Sequence, residues 1–290
     1  MTDITEQKLD HKQKSRLDAA LLERGLCASR QEAQAVIMAG GVLVNDEKVT
    51  KSGTTVRGDD NIRLLDKYVA SKYVSRGGQK LEKALQTFKI DVTNLICLDI
   101  GASTGGFTDC LLQHGAKFVY AIDVGFGQIV GKLRQDPRVM VLERTNARHL
   151  ESQELYIDKK TDIANLAVID CSFISLDKIL PATKKLLGSN FQIIALVKPQ
   201  FEAGKDKIKK GVVKDKKTQI EVLEHIARTA QNLDLRLISC CHSPLKGPKG
   251  NIEYLALLKN KDDVDETTLI DNILDFKQIV DDAFSELNQE

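Results

Sequence analysis

Cys97–Ala116 reads CLDIGASTGGFTDCLLQHGA. A short apolar run carrying Asp99 passes through a loop of small residues into an apolar helix. Strand, Gly-rich turn and helix in that order form the opening unit of a nucleotide-binding α/β sheet. Outward from this stretch, apolar and amphipathic runs alternate. Strands are predicted at 95–100, 117–122, 138–142, 165–170, 191–197, 235–240 and 252–258. Helices are predicted at 79–88, 106–114, 128–135, 175–187, 216–232 and 269–287. The alternation predicts a mainly parallel, doubly wound α/β sheet of seven strands. Its site is then expected at the carboxyl ends of the strands, near the topological switch point.

The loop's glycines are Gly101, Gly105 and Gly106. A dinucleotide fingerprint, G-x-G-x-x-G, uses its second glycine to let the backbone approach a pyrophosphate. Ser103 stands at that position here. A pyrophosphate is crowded there, whereas a cofactor without phosphate is not, and S-adenosylmethionine has none. Gly101, Ser103, Gly105, Gly106 and Phe107 are therefore expected to hold S-adenosylmethionine rather than NAD. Asp99 is expected at its sulfonium or amino-acid end. Asp123, which ends FVYAID, is expected at the ribose, and Asn146, after VLERT, at the adenine.

Two lysines and two carboxylates stand where such a sheet opens. Lys80 is in the helix leading into the sheet. Asp170 ends LAVID, Lys198 ends IIALVK, and Glu253 begins the last strand. Together they suit methyl transfer to a ribose hydroxyl, which must lose its proton as it attacks a sulfonium methyl. A free lysine, with a pKa of about 10.4, serves as a base only beside another cation or out of water. Lys198 reads as the base and Lys80 as its tuner or as a substrate positioner. Asp170 and Glu253 read as groups that orient the lysines, with Asp170 also facing the cofactor. Exocyclic-amine methylation fits worse, because DCSF follows the fourth strand without its usual prolines. Cytosine-carbon methylation fits worse too, because Cys171 reads as a buried thiol and not a nucleophile.

The chain has 290 residues, 42% of them hydrophobic, enough for one large core and a small accessory domain. No apolar run approaches the ~18 residues of a membrane span. The N-terminus MTDITEQKLDHKQKSR is polar and has no signal-peptide apolar region. Six cysteines without CxxC spacing read as reduced, packed thiols of a cytoplasmic protein. Cys240-Cys241-His242 is no metal site, since neighbours on a strand point to opposite faces. A net charge of +1 conceals an asymmetry. Lys198 to Lys217 holds eight lysines and three acidic residues, and Asp262 to Glu290 ten acidic residues and one lysine. On charge alone the lysine-rich stretch reads as solvated loop.

Residues 14–30 predict a short helix with Leu17, Leu21 and Leu22 as its apolar stripe, stopped by Gly25. Ser29 is a predicted N-cap for RQEAQAVIMAG, and GVLVNDEKVT predicts a hairpin. This helix–helix–hairpin unit, RLDAALLERGLCASRQEAQAVIMAGGVLVNDEKV, resembles the αL RNA-binding module of a small-subunit ribosomal protein. The resemblance implies that Lys14, Arg16, Arg24, Arg30 and Lys48 face structured RNA. Arg76, in the stretch before the helix that carries Lys80, is also expected to contact RNA.

In chain order, the αL module, SRGGQKLEKAL, LDIGASTGGFTD, VIDCSFISL, LVKPQFE and KGNIEYL resemble the TlyA family. Its members are rRNA 2′-O-methyltransferases with an FtsJ-like domain, historically labelled haemolysins. The resemblance covers residues 14–259 and implies the catalytic tetrad Lys80, Asp170, Lys198 and Glu253. It implies cytidine riboses of large-subunit rRNA as substrate, with small-subunit rRNA added in some members, and ribosomal subunits as partners. The expected organisation is an RNA-binding domain at 1–62, a linker at 63–74, a methyltransferase domain at 75–260 and an acidic helical extension at 261–290. The competing readings are a membrane-active haemolysin and an RNA-binding protein with an inactive methylase fold. The acidic face of 269–287 speaks against the first, and the intact tetrad against the second.

Overall fold

In the computed structural model of the chain, residues 14–27, 29–65, 72–156, 163–264 and 274–287 are described. The chain divides into two units, Met1–Ser71 and Lys72–Glu290. The first runs β1 (Lys14–Arg16), α1 (Leu17–Glu23), α2 (Arg30–Met38), β2 (Val42–Val44), β3 (Glu47–Val49), β4 (Thr55–Arg57) and β5 (Ile62–Leu64). The Ser29 hydroxyl caps α2 by accepting from the Glu32 amide at 3.1 Å. Asn45 and Asp46 turn the β2–β3 hairpin with φ of 51° and 67°, the left-handed pair a two-residue hairpin loop requires. Leu17, Leu21, Ala33, Ile37 and Val42 form the core. Leu22, expected in the same stripe, is instead 42% exposed. A helix of seven residues turns a single stripe inward, and Leu17 and Leu21 fill it.

The second unit begins with α3 (Gly77–Phe88) and β6 (Ile96–Ile100), then α4 (Gly106–Gln113), β7 (Phe118–Ile122), α5 (Gly131–Arg134) and β8 (Val139–Leu142). It continues with α6 (Ser152–Leu155), β9 (Leu166–Ile169), α7 (Leu176–Leu186), β10 (Gln192–Val197), α8 (Pro199–Glu202) and α9 (Lys216–Asn232). β11 (Leu235–His242), β12 (Tyr254–Asn260) and α10 (Phe276–Leu287) complete it. The helix expected at 128–135 is confined to the four residues of α5. Of the helix expected at 269–287, residues 269–273 lie outside the described residues, as do 1–13 of the N-terminal domain and 66–71 of the expected linker.

The seven strands lie in the order β11-β12-β10-β9-β6-β7-β8. Among the described strands of this sheet, β12 alone is reversed, pairing antiparallel with both β10 and β11. Alternate residues feed two cores, as the pleat demands. Leu98, Ile193 and Ala195 face α7, α9 and α10, while Cys97, Ile194 and Leu196 face α3 and α4. Cys240 and Cys241 likewise join opposite cores. α10 buries Val280 and Ala283 in the first core, so its acidic residues form the outer face of a docked helix.

The order reverses between β6 and β9, which pair side by side while the chain leaves each in opposite directions. A crevice therefore opens beyond Ile100 and Ile169. Because β12 is antiparallel, its first residue reaches the edge where the other strands end. The register sets Val197 opposite Tyr254, so Lys198 and Glu253 stand next to each other across the ladder.

Candidate active site

The crevice is walled by the loop at 101–104 and by the start of α3. Gly101 has φ of 87°, and a Cβ there would stand 2.7 Å from the Asp170 carbonyl oxygen. Only glycine lets this loop lie against the end of β9. A Cβ on Gly106 would meet the Ser75 hydroxyl and, at 3.0 Å, the Gly78 amide. The starts of α3 and α4 therefore pack backbone to backbone, which carries Lys80 into the crevice.

Two adjoining cavities result. The first, about 300 Å³, is lined by Arg76, Lys80, Asp170, Ser172, Lys198 and Glu253 together with the loop and Phe107. The second, about 430 Å³, is lined by Asp123, Gln128, Asn146, Asp170 and the apolar side chains of Ile100, Ile122, Ile174 and Ile179. Gly101, Ser103, Asp170 and Ser172 border both.

In the first cavity the two lysines and two carboxylates stand in two pairs. Lys80 Nζ donates to Glu253 Oε2 at 2.5 Å. Lys198 Nζ lies 2.6 Å from Asp170 Oδ1 and donates to Ser172 Oγ at 2.9 Å. Lys80, Lys198 and Glu253 are buried, and Asp170 is partly open to the cavity. Each ammonium is thus matched by its own carboxylate before any ligand arrives. Ser172 had no signal in the sequence beyond following Asp170 by two residues.

In the second cavity Asp123 organises the loop. Its carboxylate accepts from the Ser103 amide at 2.7 Å and the Gly125 amide at 2.6 Å. Ser103 adopts φ of 49°, a left-handed conformation that this hydrogen bond holds in a non-glycine residue. Its hydroxyl donates to Gln128 Oε1 at 3.2 Å. Asn146 lines the same cavity, with Oδ1 accepting from the Arg148 amide at 3.1 Å.

Several expected residues stand elsewhere. Asp99 is not in either wall. It is wholly buried within β6, and Oδ2 accepts from Thr108 Oγ1 at 2.6 Å. Burial pushes its carboxyl up to about 7 against the lowering effect of Thr108. Gly105 is also absent from both walls; a Cβ on it would meet Leu133 at 2.3 Å. Cys171 borders the second cavity, and burial pushes its thiol up to about 12, so it holds no thiolate at neutral pH.

In the N-terminal unit, Arg24 donates to the carbonyls of Asp60, Arg57 and Gly58 at 2.7, 3.0 and 3.0 Å. Its guanidinium is an internal brace, contrary to the expectation that it faces RNA. Arg16 and Arg30 reach buried Asp18 at 3.0 and 3.5 Å but remain about half exposed. The Arg16 hydrogen bond holds the Asp18 carboxyl well below the usual carboxylate range. Lys14 is exposed, and Lys48 packs its stem on Gly40.

Residues 73–260 match the FtsJ-like methyltransferase family, and residues 15–62 match the S4 domain. Over 251 residues, 86% of this chain and 91% of the other, the sequence is 43% identical to a Mycobacterium tuberculosis protein named 16S/23S rRNA (cytidine-2′-O)-methyltransferase TlyA. The chain belongs to the FtsJ-like methyltransferases, among the TlyA proteins. It is 46% identical, over 83% of its own length and 84% of the other's, to a Bacillus subtilis protein named as a candidate rRNA methyltransferase, YqxC. A solved structure from Streptococcus thermophilus, described as a haemolysin candidate, is 41% identical. That structure has a TM-score of 0.72 and covers 95% of this chain and 98% of its own. As an FtsJ-like methyltransferase the chain is an enzyme, joined to an S4 domain. Among its described residues no helix is long and apolar enough to cross a membrane.

Proposed function

We propose that this enzyme is a cytoplasmic S-adenosylmethionine-dependent methyltransferase acting on the 2′-hydroxyl of cytidine in ribosomal RNA. The observation that carries the reading is the double lysine–carboxylate pair at the carboxyl ends of β9 and β10 and the start of β12. The S4 domain supplies RNA affinity, with Lys14, Arg16, Arg30 and Lys48 as the facing cations. Large-subunit rRNA is the first substrate to test and small-subunit rRNA the second.

The second cavity suits the cofactor on its own donors. Asp123 has lone pairs left for ribose hydroxyls after accepting two amides. Its charge disfavours a pyrophosphate, and the isoleucines around Asn146 give a slot for a flat base. When bound, S-adenosylmethionine supplies an electrophilic methyl group on a sulfonium. The chain's own residues handle the proton. Lys198, an ammonium at rest, first gives up its own proton to water; the amine would then take the proton of the hydroxyl whose oxygen would accept the methyl group. Asp170 and Ser172 both stand ready to accept from the resulting ammonium. Lys80, fixed by Glu253, sets a positive charge beside the oxygen as it loses its proton. Proton transfer of this kind contributes typically about 100- to 10,000-fold.

The test is to incubate the purified enzyme and labelled S-adenosylmethionine with each ribosomal subunit and map ribose methylation. The expected product is 2′-O-methylcytidine that disappears in Lys198→Ala. Label on a base, or on no RNA, overturns the reading.

A further inference from the structure

We infer that a lysine-lined groove beside the catalytic cleft binds the phosphodiester backbone of the substrate RNA next to the nucleotide being methylated. This rests on the RNA methyltransferase reading above. The groove, about 890 Å³, lies between the segment joining α8 to α9 and the loop joining β11 to β12. Lys209, Lys210, Lys214, Lys246 and Lys249 line it, and none of the described residues lining it is acidic.

Lysine-rich loops are ordinarily only solvated surface, but the pairing here is selective. Lys207 and Lys216, just outside the groove, are each salt-bridged at 2.5 Å, to Glu221 and Asp281. Among the described residues, none of Lys209, Lys210, Lys214 and Lys249 is salt-bridged to a carboxylate. Their uncompensated charge gathers in one concavity, where it raises the local positive potential.

The groove is also built from the inside. Asn251, 3% exposed, accepts from the Val213 amide at 3.1 Å and donates to the Gly211 carbonyl at 2.9 Å. Gln219, buried as well, donates to the Val213 carbonyl at 2.8 Å and accepts from the Tyr254 hydroxyl. These buried amides tie the two basic segments together and fix the spacing of their lysines. Val212, Ile252 and Phe284 supply apolar surface between the charges.

Position then selects the occupant. Pro248 and Glu253 line the catalytic cavity while Lys249 and Ile252, between them in sequence, line the groove. A ribose in the catalytic cavity carries a phosphate on either side, so its chain must leave across an adjoining surface. Lys209, Lys210, Lys214 and Lys249, without a carboxylate partner among the described residues, meet a polyanion whose condensed counterions are released on contact. The apolar surface between them suits the faces of sugars and bases.

The test compares the full-length enzyme with Lys209→Gln/Lys210→Gln/Lys249→Gln. A matched control, Lys178→Gln/Lys207→Gln/Lys216→Gln, removes three lysines that are already salt-bridged. Binding to protein-free rRNA is measured across salt concentrations, methyl transfer is measured on RNA and on subunits, and cofactor binding is measured by calorimetry. In the groove variant the slope of log K against log salt is expected to fall by about 2, at roughly 0.7 per lysine. KM for RNA is expected to rise about tenfold or more, with kcat and cofactor affinity near wild type and the control variant unchanged. An unchanged slope and KM on protein-free RNA overturn the inference. A loss seen with subunits but not with protein-free RNA also overturns it, assigning the groove to a ribosomal protein. If the wild-type enzyme methylates neither substrate, the activity reading fails on its own, and the binding slope still decides the groove.

Discussion

Lys80 and Glu253, 173 residues apart in the chain, meet at 2.5 Å in the catalytic cavity. One comes from the helix that precedes the sheet, the other from the start of its antiparallel strand. Both are nearly inaccessible, at 6% and 1% exposure. A buried pair adds little net stability, but removing one partner leaves the other charge stranded. Glu253→Ala is therefore expected to destabilise the enzyme by about 3 kcal/mol as well as to stop methyl transfer. Glu253→Ala/Lys80→Met should recover much of that stability, because no charge is left behind. Urea unfolding of the four proteins of the cycle measures it. Strictly additive effects would show that the two side chains do not depend on each other.

Asp99 makes stability depend on pH in an unusual direction. Burial, partly offset by the Thr108 hydrogen bond and reinforced by the charge on Asp170, pushes its carboxyl up to about 7. In the unfolded chain it titrates at about 3.9. Between those values the folded protein holds a proton that the unfolded chain has released. This residue's contribution therefore favours folding less and less as pH rises from about 4 to about 7, and levels off above that. Asp99→Asn has no such titration. Its stability relative to wild type is expected to grow by about 2–3 kcal/mol between pH 5 and 8. Denaturant unfolding of the two proteins across that range isolates the effect from the other carboxylates. A constant difference would mean that Asp99 ionises like a solvated carboxylate.

The same residue shows where the sequence is informative and where it is not. Asp99, Asp123 and Asp170 all follow apolar residues of a run, and on that pattern all three are expected at the cofactor. One further residue separates them. Ile100 continues β6 and keeps Asp99 within the pleat, whereas Asp123 and Asp170 lie just past Ile122 and Ile169. Strand existence follows from periodicity, which records long runs of buried side chains; the order of the strands in the sheet does not. Lys198 and Glu253 were legible for the same reason, as polar residues abutting such runs. Ser172 was not, because its role depends on how a side chain turns after β9. The three-residue strands β1, β4 and β5 carry too few alternations to register.

Arg24 is expected to matter more to the S4 domain's folding than to its grip on RNA. Its three hydrogen bonds to carbonyls tie the end of α1 to the turn after β4. Arg24→Gln should weaken that region by about 1–2 kcal/mol. Hydrogen exchange of amides at 57–61 should then quicken about 5- to 30-fold in the full-length protein. Lys14→Gln, at an exposed position, should leave exchange unchanged and lower RNA affinity. Unaltered exchange in Arg24→Gln, together with a tenfold loss of RNA binding, would return Arg24 to the RNA-facing set.

Lys198 carries the sharpest expectation. Its ammonium is held 2.6 Å from Asp170 Oδ1 and 2.9 Å from Ser172 Oγ, at the first position beyond β10. Pro199 follows and opens α8, which fixes the direction in which the chain leaves the strand. Lysine can take a proton from a hydroxyl and pass it on, whereas the guanidinium of arginine stays protonated. Lys198→Arg is therefore expected to slow single-turnover methyl transfer at least about 100-fold while S-adenosylmethionine binding holds near wild type. Ser172→Ala removes one of the two acceptors that receive the ammonium. At about 1 kcal/mol for that hydrogen bond, the rate should fall about fivefold. The two variants separate two roles for the same nitrogen. A base requires loss in Lys198→Arg whatever becomes of Ser172. A group that merely positions the ribose would tolerate another cation of similar reach. A near-normal single-turnover rate in Lys198→Arg would remove lysine from proton transfer and leave the approach of hydroxyl to methyl as the main source of rate.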